Sequence, residues 1–190
     1  MIPPIFTQGL REILVIDRSS KNTCLWNKIA RYPDMYEQHI AEAISACKSF
    51  RKPDIRVYMS INSRCVDKAI REFKRQQIEA DYSPHNKDWY LNLNKQFRHI
   101  LMQPKQRKTK YFLMDIDTKE RGTMHIVDQF IRDKGIETIT SYDTPNGCHI
   151  ITEPFNMNMC KLDKVEVKTD ALLLLYSNQT GETFHAHQSG

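Results

Sequence analysis

Two aspartates at the end of an apolar run constrain this chain more than any other feature. Residues 111–117 read YFLMDID, a run of strand-forming residues that ends in Asp115 and Asp117. Residues two apart in a strand project from the same face, so both carboxylates would lie together at the end of a buried strand. Adjacent carboxylates repel each other unless a cation lies between them. Such an oxygen pair suits Mg²⁺ or Mn²⁺, with phosphate oxygens and water completing the shell.

Turn residues between two β-rich runs predict a hairpin further along the chain. Residues 136–152 read IETITSYDTPNGCHIIT, and DTPNG is strong turn chemistry. His149 follows the turn at the start of the second strand, where an imidazole is a candidate contact for phosphate. Ser141, Thr144 and Asn146 offer hydrogen bonds beside it. The alternative for His149 is a structural role, with its side chain hydrogen-bonded to its own turn. The alternative for the two aspartates is that one caps a helix and the other is solvated.

Together the two segments resemble the archaeo-eukaryotic primase, or primase-polymerase, family. Its first motif is an apolar strand that ends in two acidic residues separated by one apolar residue, which Asp115 and Asp117 match. Its second motif is a small residue, any residue and a histidine, here Gly147, Cys148 and His149. An amphipathic helical segment separates the motifs, and strand, helix and hairpin is the order of the family. The resemblance covers mainly residues 109–176.

The resemblance also implies a third carboxylate and a fold. The third motif of the family is an apolar strand with one more acidic residue, and Asp170, directly before the run ALLLLY, is our first choice. Glu166 and Asp163 stay open, and Asp170 would also suit a helix N-cap. The implied fold is α+β: a single domain with a mixed or antiparallel sheet, flanking helices and an RRM-like primase catalytic core.

The function implied by the resemblance is a metal-dependent nucleotidyltransferase that makes or extends a nucleic-acid strand from nucleoside triphosphates. Asp115, Asp117 and Asp170 would hold two divalent metals, Mg²⁺ or Mn²⁺, and His149 with the turn would hold the nucleotide phosphates. Arg64, in a basic turn that resembles one found before the first motif, would contact phosphate or the template. Single-stranded DNA or RNA is the implied polymer partner, and a helicase or an accessory primase subunit is compatible with this role.

The charge distribution favours a polyanionic partner. The net charge is +5, and much of the excess lies in two clusters. The first lies in a predicted helix at 66–80, for which a solvated helix face is the alternative. The second directly precedes the aspartate strand, and we predict that it contacts nucleic acid or triphosphate. Its members are Lys105, Arg107, Lys108 and Lys110.

Two other functions compete with this one. The first is a non-catalytic, replication-associated nucleic-acid-binding protein. A rolling-circle initiator would need a His-hydrophobe-His pair, which the sequence lacks before its polar tail. The second is a metal-dependent nuclease, which would need a Glu-x-Lys element after an aspartate. Glu166 and Lys168 after Asp163 match that element loosely.

Length and composition predict one catalytic domain over residues 1–180 and a flexible tail over 181–190. None of the five cysteines forms a CxxC pair, which departs from the zinc-binding insertion of many primases. No apolar run approaches the ~20 residues of a membrane span, and no signal peptide is recognisable, so we expect a cytoplasmic protein without a membrane partner. Hydrophobic periodicity predicts strands at 12–17 and 55–61 and helices at 35–50, with Asp34 as N-cap, at 66–80 and at 89–102.

Overall fold

Strands and helices follow one another in an order that builds two antiparallel sheets. The computed structural model describes residue 6 and residues 8–82, 87–144 and 146–181. Within these ranges it contains eight strands and five helices. In chain order they are β1 (Arg11–Asp17), β2 (Thr23–Ala30), α1 (Pro33–Ser49), β3 (Ile55–Ser60), α2 (Val66–Asp81), α3 (Lys87–Leu91), α4 (Leu93–Met102), β4 (Phe112–Ile116), α5 (Arg121–Asp133), β5 (Thr138–Asp143), β6 (Cys148–Thr152), β7 (Val165–Lys168) and β8 (Leu172–Ser177).

Each sheet has four strands, and neighbouring strands run antiparallel. The first sheet has the order β2-β1-β3-β8 and the second the order β5-β6-β4-β7. Short turns join β1 to β2 and β5 to β6, which is the connection that antiparallel pairs allow. The α+β prediction is therefore confirmed, with the strands divided between two sheets.

The two sheets pack face to face through every second residue of their strands. Leu14 and Tyr58 of the first sheet share one buried cluster with Leu113 and Ile151 of the second. Helix α1 packs on the opposite face of the first sheet and adds Tyr36 to this cluster. The layers are therefore α1, first sheet, second sheet and α5, and this order leaves room for a site between the sheets.

The alternation of β4 decides which way its aspartate points. Met114 and Ile116 are fully buried and pack against Val127 of α5. Their neighbours Leu113 and Asp115 must then point to the other face, towards the first sheet. Apolar residues at every second position thus place a carboxylate between the two sheets.

Helices α2 and α4 pack against each other beside the first sheet. Ala69, Ile100 and Leu101 are buried there, and Leu10 and Ile29 pack against them. Ala69 and Phe73 of α2 face this cluster, whereas Ile70 and Ile78 are exposed together with the basic residues of the helix. No helix in the described ranges is long and apolar enough to cross a membrane.

The predicted elements are found within about two residues, except at three places. Asp34 is not the N-cap of α1, because Pro33 takes the first helical position and Tyr32 precedes it. The helix predicted at 89–102 is broken at Asn92 into α3 and α4. Strand β2 has no predicted counterpart, because apolar and polar residues do not alternate along this half-exposed edge strand. Residues 83–86 and the predicted tail beyond 181 lie outside the described residues.

Gly147 is a point where only a residue without a side chain fits. A Cβ atom at this position would lie 1.8 Å from the carbonyl oxygen of Ile116 and 2.8 Å from the amide nitrogen of Thr118. Both are backbone atoms, so neither can rotate away. The turn between β5 and β6 is therefore packed directly against the end of β4.

We expect Gly147→Ala to lower the free energy of unfolding by about 1–3 kcal/mol, because the added methyl group overpacks a rigid site. Gly122→Ala is the matched control, since a Cβ there meets nothing within 4 Å. Urea denaturation followed by circular dichroism measures both variants. Equal stability of the two variants would contradict the contact between turn and strand.

Candidate active site between the sheets

A cavity of about 390 Å³ opens between the inner faces of the two sheets. The second sheet and its turn contribute both predicted aspartates and the predicted histidine, and the first sheet contributes cations and an aromatic ring. The apolar part of the wall comes mainly from β8. The polar lining residues are Arg18, Arg56, Tyr58, Asp115, Asp117, Thr144, Asn146, His149 and Lys168.

The strand register places a row of side chains across the second sheet. Asp115 of β4 lies opposite His149 of β6 on one side and opposite Glu166 of β7 on the other. His149 in turn lies opposite Tyr142 of β5. Residues directly opposite in antiparallel strands share a face, with Cβ atoms about 4.5–5.5 Å apart. The row Tyr142, His149, Asp115 and Glu166 is therefore fixed by backbone pairing.

Asp115 accepts two charge-assisted contacts, one on each carboxylate oxygen. His149 Nε2 lies 2.8 Å from Oδ1, and Lys168 Nζ lies 2.5 Å from Oδ2. Lys168 Nζ also lies 3.0 Å from Oε2 of Glu166. The hydrogen bond from His149, helped by Lys168, lowers the pKa of Asp115 to about 2 against the opposing effect of burial. Asp115 is therefore a stable anion at neutral pH.

Asp117 lies one residue beyond the end of β4 and is exposed at the cavity. Its backbone N–H donates to the carbonyl of Lys164 at 3.1 Å, which holds the chain in place after the strand. No ion pair to its carboxylate is found in the described part of the chain. Asp117 thus keeps its oxygens open to a ligand in the cavity.

The turn after β5 brings Thr144 and Asn146 to the same cavity. Thr144 closes the turn, because its N–H donates to the Gly147 carbonyl at 2.9 Å and its Oγ1 accepts from the Gly147 N–H at 3.1 Å. Ser141 lies elsewhere, since it pairs with Ile150, which faces α5. The expectation that Ser141 joins His149 is therefore wrong, because the two side chains point to opposite faces of the sheet.

Asp170 and Arg64 pair with each other and do not line the cavity. Arg64 Nη2 donates to both carboxylate oxygens of Asp170, at 3.0 and 3.1 Å, and its side chain is 6% exposed. A buried guanidinium requires a partner, and Asp170 supplies it. The structure thus contradicts the assignment of Asp170 as third metal ligand and of Arg64 as nucleotide contact. By register, Glu166 is the carboxylate beside Asp115.

The basic cluster before β4 is divided between two roles. Arg107 is structural, because its Nε and Nη1 donate to the carbonyls of Pro104 and Thr169. Lys105 is exposed and bridges to Glu72 of α2 at 2.8 Å. Lys108 and Lys110 are exposed, and their contact with nucleic acid stays a prediction. A depression of about 290 Å³ is lined by Lys68, Arg71, Glu72, Arg75, Lys105 and Gln106, which we call the basic surface.

Three cations of the cavity were not among the predicted site residues. Lys168 had a usable signal, because it lies two residues after Glu166 in a strand and must share its face. Arg18 and Arg56 had none, since they reach the cavity only through the packing of the first sheet on the second. Arg56 is itself held by Asp54, with its Nε and Nη2 at 2.8 and 3.0 Å from the two carboxylate oxygens.

The donor set suits a hard cation that arrives with a phosphate ligand. In the described residues no group of three or more His, Cys, Asp and Glu is arranged to hold a metal. Mg²⁺, however, is commonly bound by one or two carboxylates together with substrate phosphates, rather than by an all-protein cage. Asp115 and Asp117 both line the cavity and supply that number of carboxylates, although both oxygens of Asp115 already contact His149 and Lys168. Comparison with family models, curated proteins and solved structures finds no match to this chain.

Asp170→Ala should lower the free energy of unfolding by about 3–5 kcal/mol, because it leaves the buried guanidinium of Arg64 without its counter-charge. Asp117→Ala, the matched control, removes an exposed carboxylate and should stay within about 0.5 kcal/mol of the wild type. Guanidinium denaturation monitored by tryptophan fluorescence compares the two. If Asp170→Ala were as stable as the control, the structural role of Asp170 would be refuted.

Proposed function

We propose that this chain is a metal-dependent nucleotidyltransferase of the primase-polymerase type, which makes or extends a nucleic-acid strand from nucleoside triphosphates. One observation carries the proposal. Asp115 and Asp117 of one sequence motif and His149 of another line a single cavity, and Asp115 contacts His149 directly at 2.8 Å. The resemblance noted in the sequence requires this convergence, although the two motifs are separated by a whole helix.

The charges around the cavity favour a triphosphate. Arg18, Arg56 and Lys168 supply positive charge, and Asp115 and Asp117 supply the carboxylates. A polyanion with a bound cation matches this arrangement, because its phosphates can meet the basic groups while the cation meets the acids. The apolar wall of β8 and the ring of Tyr58 offer a surface for the sugar or the base.

In this proposal Asp115 and Asp117 would hold the metal, with Glu166 as the third carboxylate. A divalent cation held there would lower the pKa of the attacking hydroxyl and neutralise charge on the triphosphate. His149 donates from Nε2 to a phosphate oxygen once Asp115 is engaged elsewhere. Once the metal engages Asp115, Lys168 would also move away from that carboxylate, and its positive charge would then face the phosphates. The turn residues Thr144 and Asn146 hold the far end of the triphosphate.

The polymer partner would be single-stranded nucleic acid bound on the basic surface. Lys68, Arg71 and Arg75 follow one another along one side of α2, and Lys105 faces them from the segment before β4. Glu72 is paired with both Arg75 and Lys105, so it cancels part of their charge. Lys68 and Arg71 are exposed and are the strongest candidates for phosphate contacts.

A metal-dependent nuclease is the second candidate, and one contact favours it. Lys168 Nζ reaches both Asp115 and Glu166, so an aspartate, a glutamate and a lysine two residues after the glutamate meet at one point. This matches the Glu-x-Lys element of such enzymes with Asp115, rather than Asp163, as the aspartate. A nuclease would have no need of His149 or of the hairpin turn.

The transferase proposal predicts incorporation of labelled nucleotides in the presence of Mn²⁺ and single-stranded DNA. Asp115→Asn and Glu166→Gln should each reduce incorporation to background, because the first removes a carboxylate that lines the cavity and the second removes its neighbour across the strands. Asp163→Asn, an exposed acid on the same segment as Glu166, is the matched control and should keep wild-type activity. Denaturing gel electrophoresis of the products measures extension.

The same gels separate the competing functions. Shortened strands that form without nucleotides, and that persist in His149→Gln, would identify a nuclease. Unchanged strands under every condition, with retained binding, would identify a non-catalytic nucleic-acid-binding protein. Either result would overturn the transferase proposal.

Binding of single-stranded DNA should weaken steeply with salt. In Lys68→Ser/Arg71→Ser the slope of log K against log salt should fall by about 0.7 for each phosphate that the variant no longer neutralises. Lys134→Ser/Lys161→Ser removes the same charge from exposed positions outside the basic surface, so its slope should fall less. Fluorescence anisotropy at four salt concentrations measures the slopes. Equal slopes in the two variants would show that α2 does not contact the nucleic acid.

A further inference from the structure

The hydroxyl of Tyr142 is buried directly behind the histidine of the cavity. The residue is 2% exposed, and its oxygen lies 2.5 Å from Nδ1 of His149. The two rings meet edge to face, with centroids 5.0 Å apart. The hydroxyl of Tyr142 is therefore shut off from water and lies against the imidazole of His149.

The hydrogen positions along the contacts from Tyr142 through His149 to Asp115 follow from which atoms can donate. In the described part of the molecule, His149 Nδ1 is the acceptor within reach of the phenol hydrogen. At the other side of the ring, the Asp115 carboxylate can only accept, so Nε2 must carry a proton. Burial raises the pKa of Tyr142 well above its usual value, so the phenol keeps its proton.

We infer that Tyr142 is a positioning residue that holds His149 in the tautomer with its proton on Nε2, and so keeps the imidazole out of metal coordination. A histidine ligates a metal through a nitrogen that carries no proton. For Nε2 to ligate, the proton would have to move to Nδ1. The phenol hydrogen would then be buried without an acceptor, which is costly.

The consequence is a cavity that presents only oxygen ligands to a cation. Imidazole ligands attract Zn²⁺ and other transition metals, whereas carboxylates, phosphates and water suit Mg²⁺ and Mn²⁺. Tyr142 would thus exclude zinc from a site whose phosphate contact needs His149 as a donor. This metal selectivity rests on the proposed function, because that function supplies the cation and the phosphate. The tautomer itself depends on the hydrogen bonds alone.

Tyr142→Phe is the informative variant, because it removes the hydroxyl and keeps the buried ring. Tyr36→Phe is the matched control, since its hydroxyl is also buried and donates to the Gly9 carbonyl at 2.6 Å, away from the cavity. All proteins would carry His185→Asn and His187→Asn, so that the His-x-His pair of the terminal segment does not bind zinc. Calorimetric titrations with Zn²⁺ and with Mg²⁺ compare the variants.

Tyr142→Phe should bind Zn²⁺ more tightly by roughly tenfold or more, since hydrogen-bond partners of ligating histidines change metal affinity by about 10- to 100-fold. Its Mg²⁺ affinity should not change, and adding His149→Gln should abolish the gain in Zn²⁺ affinity. Tyr36→Phe should show no gain. If Tyr142→Phe loses affinity for both metals, or gains none for Zn²⁺, the hydroxyl of Tyr142 has only a structural role and the inference is overturned.

The wild-type protein tests the tautomer independently of any variant. Nitrogen-15 spectra of the His149 ring should show a protonated Nε2 and an unprotonated Nδ1, and equimolar Zn²⁺ should not move the proton. A proton on Nδ1, or ligation of Zn²⁺ by Nε2, would overturn the inference even if Tyr142→Phe did not fold. Neither measurement uses catalytic activity, so this inference can fail while nucleotide transfer is observed, or hold while it is not.

Discussion

The pairing of β4 with a neighbour on each side is the constraint on which the proposed site depends. A central strand in an antiparallel sheet has its side chains matched twice, once by each partner. Asp115 therefore meets His149 from β6 and Glu166 from β7 without any contribution from loop conformation. A slip of one residue in either pairing would turn these side chains towards α5 and place apolar groups in the cavity. Burial of Met114 and Ile116 against α5 opposes such a slip.

Two ion pairs of similar appearance have different consequences in this chain. Arg64 with Asp170 is largely shut off from water, and both carboxylate oxygens are used by one guanidinium. Lys168 with Asp115 opens onto the cavity, and the lysine side chain is 37% exposed. The first pair satisfies a buried charge and has no freedom to exchange partners. The second lies at the cavity, where a ligand that reaches Asp115 would compete with the lysine.

The sequence predicts those parts of the fold and site that depend on short-range pattern. Alternation gives β4 and its aspartates, and turn chemistry gives the hairpin with His149. The prediction for Asp170 is wrong because the sequence pattern, an acidic residue before an apolar strand, is identical whether the acid binds a metal or a buried arginine. Arg18 and Arg56 could not be predicted, since their place in the cavity arises from the packing of one sheet on another. Ser141 shows that closeness in sequence to His149 does not decide the face.

The close approach of Gly147 to the end of β4 has a mechanical consequence. The turn that carries Thr144 and Asn146 lies backbone to backbone against the strand that carries the aspartates. The backbone contact leaves no space for these two parts of the wall to move closer together. Any narrowing of the cavity around a ligand would have to come from the opposite wall, where the long, exposed side chain of Arg18 can change rotamer while Asp54 holds Arg56.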